Sequence, residues 1–217
     1  MSQLELLKIA ASILALILAI VGHEIMHGWV AWRYGDPTAK SMGRLSLNPL
    51  KHIDPVGSIL VPAILYATNA PFLFGWAKPV PVDMNIVIRN GGYGAAIAVS
   101  LAGITYNLLL AVLMATLLPL AWPPQSLAGA FLYLFLAQGV MLNVVLAVFN
   151  LWPIPPLDGS QALRYLAAKL GWRSFVELYE KIYPYGMLIL FAILFTPLSS
   201  ILFAPVGWIL DLIIPGG

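Results

Sequence analysis

Residues 4 to 34 read LELLKIAASILALILAIVGHEIMHGWVAWRY, an apolar run that continues without a helix breaker into a group of ionisable residues. We predict one long helix over this stretch, ended by the turn-forming GDP at residues 35 to 37. About 20 apolar residues suffice for a helix to cross a bilayer. The stretch therefore predicts a transmembrane helix that carries His23, Glu24 and His27 towards its end.

The composition of the whole chain also indicates a membrane protein. Of its 217 residues, 61% are hydrophobic and only 9% are charged, whereas about a quarter of a soluble domain is charged. Long polar segments are absent, so we expect a single integral-membrane domain over residues 1–217. The net charge of +2 is too small to favour nucleic-acid binding. Because there is no cysteine, a bound metal must be held by histidine or carboxylate side chains.

Two uninterrupted apolar runs beyond the first helix each predict a spanning helix. They extend from about Gly92 to Leu118 and from about Leu127 to Leu151. Residues 36 to 55 are polar and rich in turn formers, so we expect them at or outside the headgroups. The mixed segment from Ser160 to Tyr183 has apolar residues at helical spacing, which is typical of amphipathic helices on a membrane surface.

Helix breakers interrupt two other apolar stretches. One extends from Val56 to Trp76 and is followed by the extended-looking AKPVPVD of residues 77 to 83. The other extends from Tyr185 to Ile214, and it fits either one kinked crossing or a hairpin of two. The interrupting residues are Pro62, Asn69 and Pro71 in the first stretch, and Pro197 and Pro205 in the second.

The cationic side chains predict how the chain is oriented. Apart from Lys8 they form two groups, and the positive-inside rule places both groups in the cytoplasm. The N-terminus is then outside, and the three predicted crossings run inward, outward and inward. Because Lys51 and Lys78 flank the stretch from Val56 to Trp76, that stretch should dip into the membrane and return. The groups are Arg33, Lys40, Arg44, Lys51, Lys78 and Arg89, and Arg164, Lys169, Arg173 and Lys181.

His23, Glu24 and His27 form the pattern H-E-x-x-H within the first predicted helix. At 3.6 residues per turn, both imidazoles lie on one face, where they can share a Zn²⁺ ion. Glu24 lies beside them and can accept a proton from an attacking water. An ionisable side chain at membrane depth costs about 2.5 to 3.5 kcal/mol on insertion scales, which favours a functional role. The alternative is that these side chains merely lie at the headgroup interface.

A catalytic zinc site requires a third protein ligand and an open position for water. The strongest candidate is Asp158 in FNLWPIPPLDGSQALR, residues 149 to 164, where three prolines exclude a continuous helix. Such backbone is tolerated at membrane depth where it lines a polar cavity. The alternative for Asp158 is an N-cap of the following helix. Two predicted crossings lie between the histidines and Asp158, which places all three on one side of the bilayer.

Four further polar side chains have structural or functional interpretations. Asn107 either joins helices through its amide or donates a hydrogen bond to the oxyanion of a tetrahedral intermediate. Asn150 can orient the loop that carries Asp158 or a substrate backbone, whereas Asn143 is expected to join helices. His52 has two interpretations. It is a polar residue at the headgroup interface, or it acts near the metal, by supporting the ligands or by gating substrate.

These motifs together resemble the site-2 protease family of intramembrane zinc metalloproteases, peptidase family M50, in its compact prokaryotic branch without PDZ or CBS domains. The matching pieces, in family order, are HEIMHGWVAWRYGDPTAKSMGRLSLNPLKHIDPVGSILVP, FGWAKPVPV, SLAGITYN and NLWPIPPLDGSQALR. The resemblance implies an all-α polytopic bundle with a three-helix metalloprotease core, a re-entrant or extended segment near residues 56–82, and one or two C-terminal spans. Asn107 matches the family pattern, but Ile104 replaces its usual proline, so a local kink should be missing.

The resemblance also implies the chemistry of the site. Zn²⁺ would be held by His23, His27 and Asp158, with Glu24 as the general base. Family members cleave transmembrane segments of other proteins, so the implied partners are a transmembrane protein substrate and the lipid bilayer. The implied location is the cell membrane, in a multi-pass protein whose active site lies near the cytoplasmic side.

Two alternatives to a protease remain open at this point. The first is a divalent-metal transporter that uses the same four ionisable side chains at the membrane midplane, although the sequence contains no evident inverted repeat. The second is an inactive homologue that only binds membrane partners. The intact Glu24 argues against an inactive protein, because mere binding does not require the base.

Overall fold

The structure is a computed structural model that describes residues 2–70 and 74–214. These residues form helices and connecting segments, with no β-strand among them. Three helices, the first, fourth and fifth, are long and apolar enough to cross a bilayer, which confirms the prediction of an all-α membrane protein. In chain order the helices are α1 (Gln3–Arg33), α2 (Thr38–Ser41), α3 (Val61–Ala67), α4 (Met84–Leu117), α5 (Leu127–Leu151), α6 (Asp158–Lys169), α7 (Arg173–Ile182), α8 (Gly186–Leu194) and α9 (Leu198–Ile213).

Side-chain caps explain where the long helices begin. The Ser2 hydroxyl caps α1, and the Ser126 hydroxyl caps α5, which has the bounds predicted from its apolar run. The Asp83 carboxylate caps α4, so this helix begins before the Gly92 predicted from hydropathy alone. Gly92 instead forms a kink within α4, with φ +66°. Beyond that kink the helix passes through Ile104 without another non-helical residue, as expected where the family proline is missing.

The long helices α1, α4 and α5 pack against one another, and α6 packs against α4. On α1, Ala11, Ala15 and Ala19 are fully buried at intervals of four residues. Small side chains at this spacing allow another helix backbone to approach closely, which is a common means of helix association in lipid. This packing brings the H-E-x-x-H face of α1 against α4.

The segment between α2 and α4 does not cross the bundle. Its helical part, Pro55–Ala67, is 13 residues by its bounds and about 20 Å long, too short to span a hydrocarbon core of about 30 Å. The Trp76 N–H donates to the Gly57 carbonyl at 3.1 Å, and the Ser58 hydroxyl donates to the Trp76 carbonyl at 2.9 Å. The segment therefore returns to where it began, as predicted. The predicted interruption at Pro71 lies outside the described residues.

The C-terminal region contains one sharp break. The helical stretches Arg173–Leu194 and Leu198–Ile213 meet at 81°, and together they form a fourth candidate span. The predicted break at Pro197 is confirmed, since it immediately precedes α9. The predicted break at Pro205 is wrong, because α9 continues through it. A proline removes a single helical donor, and membrane helices tolerate this where neighbouring groups satisfy the freed backbone.

Candidate metal centre

Three side chains from α1 and α6 converge on one point. The Asp158 Oδ2 atom lies 3.0 Å from His23 Nε2 and 3.3 Å from His27 Nε2. The two histidine Nε2 atoms are 3.1 Å apart. These are the three residues that the sequence predicted as metal ligands, and they form the cluster of candidate ligands in the described part of the chain.

The dimensions of this cluster fit a zinc ion. Tetrahedral Zn²⁺ with ligands at about 2.0–2.1 Å separates the ligand atoms by about 3.3–3.4 Å, close to the distances between these three atoms. Asp158 Oδ2 is buried and has no hydrogen-bond donor. A buried carboxylate oxygen without a donor requires a cationic partner. Two imidazoles and one carboxylate also leave a fourth coordination position open, as catalytic zinc sites do.

Hydrogen bonds behind the histidines orient their rings. His23 Nδ1 lies 2.6 Å from Asn107 Oδ1, and His27 Nδ1 lies 2.7 Å from the Val99 carbonyl oxygen. Because carbonyl oxygens only accept hydrogen bonds, each Nδ1 carries the hydrogen. In the neutral imidazoles that bind a metal, each Nε2 then has its lone pair on the Asp158 side of the cluster. Such partners are typical of metal-binding histidines, since they fix both the tautomer and the ring orientation.

Asn107 and Asn143 connect the three long helices behind His23. The Asn107 Nδ2 atom donates to the Ala19 carbonyl at 3.2 Å and to Asn143 Oδ1 at 2.7 Å. Asn143 Nδ2 donates in turn to the Gly139 carbonyl at 2.8 Å. Both Asn107 amide hydrogens are thus engaged within the bundle, and both asparagines are fully buried. This geometry favours the helix-joining interpretation of Asn107 and offers no free donor for an oxyanion.

Two glycines allow close approach between elements around the cluster, a role that the motifs in the sequence did not indicate. A Cβ atom on Gly103 would lie 2.5 Å from Nε2 of both His23 and His27, so α4 covers the histidines only with glycine there. A Cβ atom on Gly159 would collide with the Leu151 carbonyl oxygen, so the start of α6 approaches the end of α5 only with glycine there. Their signals in the sequence were the glycines of SLAGITYN and of the LDG turn.

Asp158 is the first residue of α6 and does not cap it. The N-cap position belongs to Leu157, and no side chain donates or accepts a capping hydrogen bond there. The N-cap alternative for Asp158 is therefore wrong, because its carboxylate is directed towards the histidines instead.

Glu24 lies one residue after His23, but its carboxylate is not among the three converging ligand atoms. Its Oε2 atom accepts a hydrogen bond from the Val80 N–H at 2.8 Å. Val80 belongs to the extended segment that returns from α3 towards α4. The structure therefore places the candidate base on the same helix as the two histidines, in contact with this segment.

The structure places His52 and Asn150 outside the ligand cluster. His52 is buried, its Nε2 lies 2.9 Å from the Ser46 carbonyl, and its own carbonyl accepts the Lys78 N–H at 2.9 Å. It thus supports the extended segment that reaches Glu24. The Asn150 amide donates to the Leu146 carbonyl of its own helix at 3.0 Å.

Comparison with known proteins agrees with these motifs. The family model "Peptidase family M50" matches residues 119–194. The "Putative zinc metalloprotease YwhC" of Bacillus subtilis is 39% identical over 197 residues, which are 89% of this chain and 84% of that protein. The "Putative zinc metalloprotease Rip2" of Mycolicibacterium smegmatis is 33% identical over 196 residues, 90% of this chain and 71% of that protein.

A more distant relative comes from an archaeon. The "Putative zinc metalloprotease MJ0611" of Methanocaldococcus jannaschii is 29% identical over 161 residues, 74% of this chain and 73% of that protein. No solved structure matches this chain significantly. The extent of the bacterial matches, together with the paired H-E-x-x-H and LDG motifs, establishes that the chain belongs to peptidase family M50, the site-2 protease family.

Proposed function

We propose that this protein is an intramembrane zinc metalloprotease that hydrolyses peptide bonds in or near transmembrane segments of substrate proteins. The observation that carries this proposal is the convergence of His23, His27 and Asp158 within 3.0–3.3 Å at the end of a spanning helix. The names of the relatives support zinc as the metal. The candidate base beside the ligands supports hydrolysis rather than metal transport.

Each residue of the site has a distinct role in this proposal. His23, His27 and Asp158 hold the metal. Zn²⁺ held by these residues would supply a Lewis acid that polarises a scissile carbonyl and lowers the pKa of a water molecule to about 7. Glu24 accepts the proton of the attacking water and transfers it to the leaving amine. Asn107 keeps the His23 ring in orientation through the hydrogen bond at 2.6 Å.

The site is proposed to lie within the cell membrane, near its cytoplasmic side. The ligand histidines lie in the last third of α1, and the cationic residues that follow this helix favour the cytoplasm. A substrate helix hides its peptide bonds in i to i−4 hydrogen bonds, so it must unwind locally before attack. His23 is buried, and His27 and Asp158 are partly buried, so the surrounding helices limit the access of bulk water to the cluster.

The test is cleavage of a reporter transmembrane substrate by purified protein in detergent. Wild-type protein should cleave the reporter, whereas Glu24→Gln and chelator-treated protein should not. Glu24→Gln should keep its zinc, because Glu24 is not one of the converging ligand atoms. Glu177→Gln is a matched control, since this glutamate lies on α7, away from the cluster. Cleavage that survives either the loss of Glu24 or complete removal of zinc contradicts the proposal.

A further inference from the structure

The motif AKPVPVD, residues 77–83, supplies none of the side chains that the proposed mechanism uses. Within it, Pro79 and Pro81 have no N–H, so between Lys78 and Val82 only Val80 offers a backbone donor. That donor is directed at Glu24 Oε2, at 2.8 Å. The one backbone N–H between the two prolines is therefore the one that binds the candidate base.

Hydrogen bonds to the backbone of the segment hold it in place on both sides of Val80. Before it, the Lys78 N–H donates to the His52 carbonyl at 2.9 Å, and Arg44 Nη2 donates to the Lys78 carbonyl at 2.8 Å. After it, the Asp83 N–H donates to Asp36 Oδ2 at 2.8 Å. A segment anchored at both ends directs the donor between them with little freedom.

Two of these anchors are deeply buried. Asp36 is fully buried, and its Oδ1 also accepts the Thr38 N–H at 3.0 Å. Arg44 is 8% exposed. Asp36 lies three residues after the last residue of α1, so it ties the segment to the helix that carries Glu24. The position of Val80 relative to α1 is therefore set by charged groups that cannot easily leave the interior.

The side chain of Val80 also fixes its position against α1. Val80 is 7% exposed, and a Cβ atom on Gly28 would lie 2.7 Å from its Cγ1 atom. Gly28 lies one helical turn beyond Glu24, so the absence of a side chain there lets the segment lie directly on α1. The packing and the backbone bonds thus place the N–H of Val80 at the carboxylate.

We propose that the backbone N–H of Val80 is a positioning group for the general base. It holds Glu24 Oε2, which leaves the second carboxylate oxygen, Oε1, to accept the proton of the attacking water. Asp36 and Arg44 act as positioning residues through the segment. This inference rests on the proposed function, because it requires Glu24 to be the base. A charge-assisted hydrogen bond of this kind is strong enough to fix a carboxylate in one rotamer.

The decisive variant replaces the amide between Pro79 and Val80 by an ester, through incorporation of the hydroxy acid analogue of valine. This change removes the N–H and keeps the side chain. We expect kcat to fall about tenfold or more, the range typical of losing an outer hydrogen bond in a metal site, with KM and zinc content unchanged. Val80→Ala keeps the N–H and loses only side-chain packing against α1, so its kcat should fall less than that of the ester variant. An ester variant that cleaves at the wild-type rate overturns the inference.

A second pair of variants addresses the anchor at the other end. Asp36→Ala removes the acceptor of the Asp83 N–H and should lower kcat in the same way, whereas Asp36→Asn keeps an acceptor oxygen and should restore most of it. Equal loss in both Asp36 variants, with a full rate in the ester variant, identifies a purely structural role and contradicts the inference. Glu24→Gln separates the two proposals. If it is inactive while the ester variant is fully active, only the positioning role fails; if it is active, the proposed function fails.

Discussion

His23 Nδ1 lies 2.6 Å from Asn107 Oδ1, and this contact joins α1 to α4 directly behind the proposed metal. The same asparagine donates to Asn143 on α5, so one buried chain of amides reaches all three long helices. Buried amides in membrane helices are commonly explained by helix association alone. Here the chain ends on an imidazole, so the packing of the bundle and the orientation of a ligand depend on the same hydrogen bonds.

Loss of the Asn107 amide should weaken zinc binding. Asn107→Leu leaves the His23 Nδ1 hydrogen without its acceptor, and we expect zinc affinity to fall about 10- to 100-fold. Competition with a chromophoric chelator measures this directly. Asn150→Leu is the matched control, because the Asn150 amide donates to its own helix. Equal affinities in the two variants would show that the contact at 2.6 Å does not support the metal.

A methyl group on Gly103 should disrupt the cluster. In Gly103→Ala the new Cβ atom would lie only 2.5 Å from Nε2 of both histidines, so the rings must move. We expect at least roughly a tenfold loss of zinc affinity with the protein still folded. Gly94→Ala on the same helix is the control, because its Cβ would meet only Lys169 Nζ, at 3.9 Å. Zinc titration and thermal unfolding in detergent test both variants, and unchanged affinity in Gly103→Ala contradicts the packing argument.

Asp158→Asn should remove most of the metal. The carboxylate supplies the only anionic atom among the three converging ligands. Zinc affinity should therefore fall by more than the roughly 10- to 100-fold that follows the loss of an outer hydrogen bond. Metal analysis after dialysis, together with reporter cleavage, checks this expectation. Asp211→Asn serves as the control, since Asp211 is exposed on α9. Full zinc occupancy in Asp158→Asn would argue that the metal is held elsewhere.

The return of the segment between α2 and α4 predicts on which side of the membrane three surface positions lie. The chain contains no cysteine, so Lys51→Cys, Gln125→Cys and Arg173→Cys each introduce one exposed thiol. A membrane-impermeant maleimide should label position 125 from one side and positions 51 and 173 only from the other. Labelling of positions 51 and 173 from opposite sides would mean that the segment between α2 and α4 crosses the bilayer.

Much of the helical framework can be predicted from the sequence. The bounds of α5 match its apolar run, and those of α1 differ by one residue at each end. The start of α4 escapes prediction because Asp83 caps it through a side-chain hydrogen bond, whereas hydropathy detects only its apolar part. The predicted break at Pro205 is wrong because the effect of this proline depends on how neighbouring groups satisfy the freed backbone, which a single sequence does not encode locally.

The sequence alone determined what depends on neighbours along the chain. Apolar runs set the spanning helices, since lipid leaves the backbone no other partners, and the four-residue spacing put His23 and His27 on one face. Tertiary structure decided the rest. Only the packing of α4 and α5 against α1, and of α6 against α4, brought the Asp158 carboxylate to the histidines, and only the anchored segment before α4 brought the Val80 N–H to Glu24. Contacts between distant segments depend on how closely backbones approach, and glycines such as Gly103 set that approach without any local signal of their partners.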